Sequence, residues 1–170
     1  TFTITVNPIP SVVQPVNQTL CNGAATNAIT FTGSVSNTIY NWSNNNTSIG
    51  LAAAGNGNIP AFTAVNTGNA PVTATVTVTP SAAGCAGTAQ IFTITVNPTP
   101  DVVQPANQII CNGATTNAVI FTGSVSGTIF NWTNNNTSIG LAAGGNGNIP
   151  AFTAINTTNV PVTATITVTP

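Results

Sequence analysis

The chain almost lacks charge: it contains no lysine, arginine or histidine, and Asp101 is its only acidic residue. Acid–base catalysis needs a titratable group near the reacting proton, and covalent catalysis needs a base beside the nucleophile. One carboxylate cannot fill both roles, so the sequence predicts no enzyme, no catalytic residue and no cofactor site. Clustered metal ligands are missing as well, and so are the cations that neutralise nucleic-acid phosphates.

Other absences concern membranes and export. No apolar run approaches the roughly 18 residues of a membrane-spanning helix, so membrane insertion is not expected. The N-terminus has neither the basic region nor the apolar block of a secretion signal, and the first residue, Thr1, is not an initiator methionine. We therefore expect the chain to be a segment of a longer polypeptide. Hydrophobic residues make up 42% of it, enough for a packed core.

The chain repeats itself at an offset of 90 residues. Phe2 aligns with Phe92, Trp42 with Trp132 and Pro80 with Pro170, and only 17 of the 80 aligned pairs differ. Similarity of this degree indicates tandem duplication of one structural unit, and neighbouring repeats of the same chain are the expected partners.

Within one repeat, apolar and polar residues alternate over several short segments. The clearest are Val72 to Val78, where valine and alanine alternate with threonine, and Phe92 to Val96, which Asn97-Pro98 terminates. This period of two is typical of half-buried strands. Further strands are predicted at 12–20, 29–31, 38–44, 49–51 and 61–66, a loop is predicted at 80–88, and no helical period is present.

About seven short strands with regular turn signals predict an all-β fold of tandem immunoglobulin-like antiparallel β-sandwiches. The expected divisions are a closing strand of a preceding repeat at 1–8, a complete sandwich at 9–98, and a second sandwich at 99–170 that lacks its closing strand. Residues 2–8 repeat residues 92–98 without change, and they match the strand that the second sandwich lacks.

Several stretches resemble the PKD-like, immunoglobulin-like repeats of very large secreted surface proteins of Bacteroidota. The resemblance covers the whole chain and rests on residues 17–23, 31–34, 40–42, 48–51, 57–60, 71–80, 84–85, 87–88 and 92–98. The usual tract of tryptophan followed by acidic residues and glycine is replaced here by residues 41–44, Asn-Trp-Ser-Asn, which marks a divergent branch.

The resemblance implies an extracellular location at a bacterial cell surface, export by the type IX secretion system and a relation to gliding-motility adhesins. It implies a non-enzymatic stalk or spacer repeat of an adhesin or filament, with adhesion carried elsewhere in the polypeptide. No functional residue of the family transfers to this chain.

The cysteines are Cys21, Cys85 and Cys111, of which Cys21 and Cys111 are counterparts. Two cysteines per repeat and an oxidising location predict a Cys21–Cys85 disulfide and a partner for Cys111 outside this chain. The prediction meets a geometric objection, because in a plain immunoglobulin sandwich the first turn and the last loop lie at opposite ends.

Two functions compete with the spacer. Tyr40 or Trp42 could be an exposed stacking platform of a glycan-binding module, although one aromatic face per sandwich is more typical of a core, and we expect Trp42 and Trp132 to be core residues. The third hypothesis is a self-polymerising fibre subunit: the segment 2–6 of one copy would complete the second sandwich of another copy by strand donation. Other copies of the chain are then partners.

Overall fold

The computed structural model describes all residues from Thr1 to Pro170. The chain forms two compact units, unit 1 at Thr1–Thr99 and unit 2 at Pro100–Pro170. The prediction of an all-β protein is confirmed at that level, since the chain has no α-helix and only two short 3-10 helices, Thr47–Ile49 and Thr137–Ile139. Its strands are β1 (Gln18–Cys21), β2 (Ile39–Asn44), β3 (Ala54–Asn56), β4 (Val72–Ala82), β5 (Cys85–Ala86), β6 (Gln90–Asn97), β7 (Asn131–Asn134), β8 (Gly144–Asn146) and β9 (Ile166–Thr169).

Unit 1 contains one six-stranded sheet in the order β1-β6-β4-β2-β3, with β5 also pairing with β4. The β2, β3, β4 and β6 pairings are antiparallel, whereas β1 runs parallel to β6, with Gln18 opposite Ile94 and Cys21 opposite Asn97. The prediction of purely antiparallel strands is therefore wrong at this edge. The closing strand β6 is an interior strand, and β1 becomes the edge.

The pair β4 and β6 follows directly from the alternation in the sequence. Val76 lies opposite Phe92 and Ala74 opposite Ile94, and these side chains are buried. The threonines face the other side, where the hydroxyls of Thr73 and Thr95 are hydrogen-bonded at 2.9 Å. Cross-strand pairs of this kind stabilise a sheet on both of its faces.

Several predicted boundaries are wrong. The residues predicted as strands at 29–31 and 61–66 form no strand. Each segment takes part only in an isolated bridge, Ile29 with Ile59 and Thr63 with Ala25. The strand predicted around Ile49 is a 3-10 helix, which ends at Gly50 with a φ of 95°. Pro80 does not end β4, because its ring is buried in the core layer and its carbonyl accepts from the Gly87 N–H at 2.9 Å.

The core of unit 1 lies between the sheet and these two segments. Trp42, Val76, Val78, Phe92, Ile94 and Val96 from the sheet pack with Ile29, Phe31, Ile49, Ile59 and Ala64 in one cluster. Side-chain amides replace charges in the surrounding loops: the buried Asn44 donates to the Leu51 carbonyl, and Asn45 accepts from the Thr75 N–H. The asparagine run therefore anchors the backbone, which accounts for its presence in a chain with one charge.

Unit 2 repeats part of this arrangement as a three-stranded sheet in the order β8-β7-β9. Its core cluster is smaller and is built around Phe121, Phe130, Trp132, Leu141 and Ile149. Strand β9 covers only Ile166–Thr169, although its counterpart β4 has eleven residues. Residues 162–165, the counterparts of Val72–Thr75, form no strand, and in unit 1 these four residues pair with β6.

The chain enters and leaves unit 1 at opposite ends of the sheet. At the entry, the Asn7 side chain donates to the Ala83 carbonyl at 3.0 Å, beside the two-residue turn that joins β4 to β5. At the exit, the Asn22 side chain donates to Thr99, and Asn97 lies just past the Val72 end of β4. The eleven residues of β4 separate these ends by about 35 Å.

The one carboxylate generates a prediction about pH. The Ser124 backbone N–H, at 2.6 Å, and then the Ser124 hydroxyl lower the pKa of Asp101 by hydrogen bonding to its Oδ1. A folded-state pKa below the unfolded one adds stability above the unfolded pKa, and this is lost as pH falls through the folded pKa. The melting temperature of unit 2 should therefore be flat from about pH 5 to 8 and fall below about pH 4.

The matched variant is Asp101→Ser, because Ser11 stands at this position in unit 1 and its hydroxyl accepts from the Ser34 N–H at 3.0 Å. Thermal unfolding followed by circular dichroism should show that D101S removes the decline below about pH 4. A decline of the same size in D101S would show that another group is responsible.

Candidate functional site: the sheet edge of unit 2

No constellation of reactive side chains forms in the folded chain. Asp101 is fully exposed and is bonded to Ser124, and no group of three histidine, cysteine, aspartate or glutamate side chains comes together. No helix has the length and apolar character needed to cross a bilayer. The features that could bind a partner are therefore sheet edges, apolar surfaces and thiols.

The structure contradicts the predicted Cys21–Cys85 disulfide, because all three cysteines are free. Cys21 ends β1 opposite Asn97 at the exit of unit 1, whereas Cys85 lies in β5 at the entry. Nearly the full length of β4 separates them, far beyond the Cα separation of about 7 Å that a disulfide allows. The predicted partner of Cys111 outside this chain stays a prediction, but it no longer has support from a Cys21–Cys85 pair.

Trp42 and Trp132 lie in the two cores, with 8% and 7% of their surfaces exposed. Each indole lies against a glycine of the neighbouring strand: a Cβ on Gly55 would come within 2.3 Å of the Trp42 ring, and one on Gly145 within 2.7 Å of the Trp132 ring. Tyr40 packs partly buried against the same core, 5.7 Å from Phe31 between ring centroids. The two buried indoles therefore present no open face on which a sugar could stack.

In unit 1, three amide side chains hold β6 in addition to its two neighbouring strands. The Gln14 side chain donates to the Ile91 carbonyl at 2.6 Å, Asn17 accepts from the Thr93 N–H at 2.8 Å, and Asn66 donates to the Val96 carbonyl at 2.8 Å. We call these three residues the amide clamp. Together with β1 and β4 they fix both the position and the register of the closing strand.

The same clamp residues occur in unit 2 as Gln104, Asn107 and Asn156. There the side chains of Gln104 and Asn156 bond only within their own loops: Gln104 donates to the adjacent Pro105 carbonyl at 3.4 Å, and Asn156 donates to the Val160 carbonyl at 2.9 Å. Strand β9 pairs with β7 alone, and the counterpart of β1, residues 108–111, pairs with no strand. We call the gap between β9 and residues 108–111 the open edge of unit 2.

Burial follows the open edge closely. Ala74, Val76 and Val78 are completely buried in unit 1, whereas their counterparts Ala164, Ile166 and Val168 are only half-buried. Phe121 and Ile149 are as well buried as Phe31 and Ile59, whereas Ile139 is less buried than its counterpart Ile49.

The N-terminal segment has the sequence that fits this edge. Residues 2–8 are identical to residues 92–98, yet Phe2, Ile4 and Val6 are 87%, 81% and 87% exposed, whereas Phe92, Ile94 and Val96 are at most 1% exposed. The segment forms no strand in unit 1. The chain thus carries an exposed copy of the closing strand and an open edge of matching register.

The sequence pattern identified the strand but not the clamp. Gln14, Asn17 and Asn66 stand among many asparagines and glutamines that occupy turns, and nothing in their spacing separates the two groups. Their repetition at Gln104, Asn107 and Asn156 was visible, but so was the repetition of most of the chain. Only the paired position of β6 shows what these side chains hold.

Trp42 generates a prediction about stability. Because its indole fills the core against Gly55, Trp42→Ala should lower the free energy of unfolding of unit 1 by about 3–5 kcal/mol. Gly55→Ala should cost about 1–3 kcal/mol by overpacking. Ala54→Gly is the control, since glycine already stands at this position in unit 2. Denaturant unfolding measures the free energy of unfolding of all three variants. The core assignment would be contradicted if acrylamide strongly quenched the wild-type fluorescence and if W42A had the same free energy of unfolding as wild type.

The open edge generates a prediction about association. Each of Phe2, Ile4 and Val6 gains about 1.5–3 kcal/mol when it is buried, so the chain should associate head to tail at high micromolar concentration. Ile4→Asp should abolish this, because it would bury an unpaired carboxylate. Thr3→Asp adds the same charge on the face that points away from the core, and it should associate nearly as wild type.

Light scattering coupled to size exclusion measures both variants. A strictly monomeric wild-type chain, or equal association of I4D and T3D, would show that the N-terminal segment does not occupy the open edge.

No family model matches this chain, and no curated protein matches it. The features that bear on its function are the strand pairing, the clamp, the buried tryptophans and the near-absence of charge.

Proposed function

We propose that the chain is a non-enzymatic structural spacer: two repeats of a stalk that belongs to a secreted or surface-attached bacterial adhesin or filament. Each repeat is an immunoglobulin-like, PKD-like sandwich, in which the sheet built around β4 and β6 faces the extended segments 24–31 and 59–65. The strand that completes one repeat leads directly into the linker to the next. Its partners are neighbouring repeats of the same polypeptide.

The observation that carries this proposal is the path of the chain through unit 1. It enters beside Ala83 and leaves beside Asn22, at opposite ends of the sheet. A repeat that is entered and left at opposite ends adds its own length to a polypeptide. A repeat with adjacent ends would hang from the polypeptide as a side domain and would add little length.

The surface chemistry supports the same function. The strands present threonine outward, and the loops use asparagine amides for internal hydrogen bonds, so the repeat is hydrated without attracting ions or nucleic acid. The resemblance to Bacteroidota surface repeats agrees with this role and supplies the proposed location outside the cell, with type IX export. A glycan-binding module is the weaker candidate, because Trp42 and Trp132 are buried.

A fibre subunit that polymerises by strand donation is a second candidate, and the open edge together with the exposed segment 2–6 favours it. The two functions share one structural principle, a β-sheet completed by the copy of Phe-Thr-Ile-Thr-Val from an adjoining repeat. They differ in whether the adjoining repeat lies in the same polypeptide or in another copy.

Insertion of extra repeats tests the spacer. One, two and three copies of residues 9–98 are placed before residue 99 in the I4D background, which prevents association. Each added copy should raise the maximum dimension from small-angle X-ray scattering by a constant increment of about 35–40 Å, the length of β4 plus a short linker.

A maximum dimension that grows with the cube root of chain length would mean that the repeats pack into a compact body, and the spacer would be rejected. Glycan-array binding that is lost in both W42A and W132A would instead support the carbohydrate module.

A further inference from the structure

Unit 1 places its two cysteines at opposite ends, and each lies against one copy of the same asparagine. Cys21 is opposite Asn97 in the parallel pairing of β1 with β6, and the Asn97 carbonyl accepts from the Asn22 N–H at 2.8 Å. Cys85 lies at the entry, where its Sγ is 4.0 Å from the Asn7 carbonyl oxygen. Asn7 and Asn97 are counterparts in the repeat.

Because Asn7 and Asn97 are equivalent positions in the repeat, the contacts that their carbonyls make can be compared directly. If the segment 2–7 of one copy occupies the open edge of unit 2 in another copy, the register of unit 1 sets Asn7 of the donor opposite Cys111 of the acceptor. The Asn7 carbonyl would then accept from the Asn112 N–H, as Asn97 accepts from Asn22. Cys85 of the donor stays beside the same carbonyl oxygen, because the Asn7 side chain is bonded to Ala83 in the adjoining turn.

Asn7 therefore brings two thiols to one junction. A carbonyl oxygen directs its lone pairs to one side of the strand, so the Cys85 thiol and the Asn112 N–H approach Asn7 from that same side. Cys111 immediately precedes Asn112 and is exposed, and Cys85 is half-exposed. The Cys85 Sγ lies 4.0 Å from the Asn7 oxygen, and by the contact of unit 1 the Asn112 nitrogen would lie 2.8 Å from the same oxygen. This arrangement brings the two cysteines to one junction, and a disulfide there needs a Cα separation of about 4.4–6.8 Å.

We propose that this junction is a disulfide site: Cys111 of one repeat bonds to Cys85 of the repeat that donates the closing strand, and the disulfide locks the donated strand in place. The proposal rests on strand donation between repeats. It also explains why a repeat whose cysteines cannot pair internally places one at each end.

The oxidation balances with glutathione disulfide as the oxidant. The Cys111 thiolate attacks one glutathione sulfur and releases a glutathione thiolate, which leaves a mixed disulfide on Cys111. The Cys85 thiolate then attacks the Cys111 sulfur and releases the second glutathione. The two protein thiols have lost two protons and two electrons, and one glutathione disulfide has become two glutathione thiols.

A second copy, rather than the same chain, is the donor in this proposal. The Asn7 side chain holds the base of the segment at the Ala83 end of unit 1, opposite the end from which the chain continues. A chain with a donor at one position and an acceptor at another forms a head-to-tail contact, and such contacts produce linear polymers or closed rings. Oxidation should therefore give a ladder of covalent multimers and not a single dimer.

The test uses the full chain at high micromolar concentration in a glutathione redox buffer, followed by non-reducing denaturing electrophoresis and peptide mapping. Trypsin has no cleavage site because the chain lacks lysine and arginine, so chymotrypsin is used, and Leu20, Phe31, Phe62, Phe92 and Phe121 place the three cysteines on separate peptides. We expect a multimer ladder, a Cys85–Cys111 cross-linked peptide and a reduced Cys21.

The variants separate this proposal from strand donation itself. Cys21→Ser should keep the ladder, whereas Cys85→Ser and Cys111→Ser should each abolish it and leave association by light scattering unchanged. Ile4→Asp should reduce the ladder at least tenfold, because strand insertion is what aligns the thiols, and Thr3→Asp should not.

Three results would overturn the disulfide. One is wild-type association without any covalent ladder, in which case strand donation stands alone. Another is a ladder of equal intensity in I4D, or one that maps largely to Cys21, which indicates random collision of exposed thiols. The third is a monomer with an internal Cys85–Cys111 bond, which places donor and acceptor in one chain. A wild-type chain that never associates, even when reduced, would instead reject strand donation.

Discussion

The position of β6 between β1 and β4 is the constraint on which the rest of the structure depends. Its apolar side chains complete the core, its backbone pairs on both sides, and the amide clamp of Gln14, Asn17 and Asn66 fixes its register. Unit 2 has the same clamp residues, Gln104, Asn107 and Asn156, but no strand pairs with β9 at the position that β6 takes beside β4. In unit 2, residues 162–165 therefore form no strand, and Ala164, Ile166 and Val168 are only half-buried.

The near-absence of charge has a structural counterpart. A buried polar group needs a hydrogen-bond partner whether or not it is charged. In this chain, side-chain amides form the polar contacts that ion pairs form in other proteins. Asn44 bonds the backbone of the following loop, and its counterpart Asn134 does the same in unit 2. Such contacts are insensitive to pH and weakly sensitive to salt, because none of the groups titrates. A repeat built this way suits the extracellular setting that we propose, where conditions are not buffered by the cell.

The sequence was informative wherever a structure depends on local alternation. Val72 to Val78 and Phe92 to Val96 were predicted as strands because their side chains alternate, and β4 and β6 include them. The parallel pairing of β1 could not be predicted, since Gln18 meets Ile94, which lies far along the chain. Proline was misleading at Pro80, where burial of the ring outweighs the lost N–H. The Cys21–Cys85 prediction was wrong for a similar reason, because it depends on which residues distant in the chain come together. The number of cysteines per repeat does not indicate which end of the sheet each cysteine occupies.

We propose that Phe-Thr-Ile-Thr-Val completes the sheet of each repeat. Amide hydrogen exchange on the full chain tests it most directly, with a synthetic peptide of residues 91–98 added to the I4D variant so that self-association does not interfere. We predict fast exchange at residues 162–164 and 108–110 without the peptide, slow exchange at the counterparts 72–74 and 18–20, and protection of the former set when the peptide is added. The Thr165 amide is left out because it donates to the Asn135 side chain in either state. Protection of residues 162–164 without the peptide, or no change on its addition, would contradict the claim.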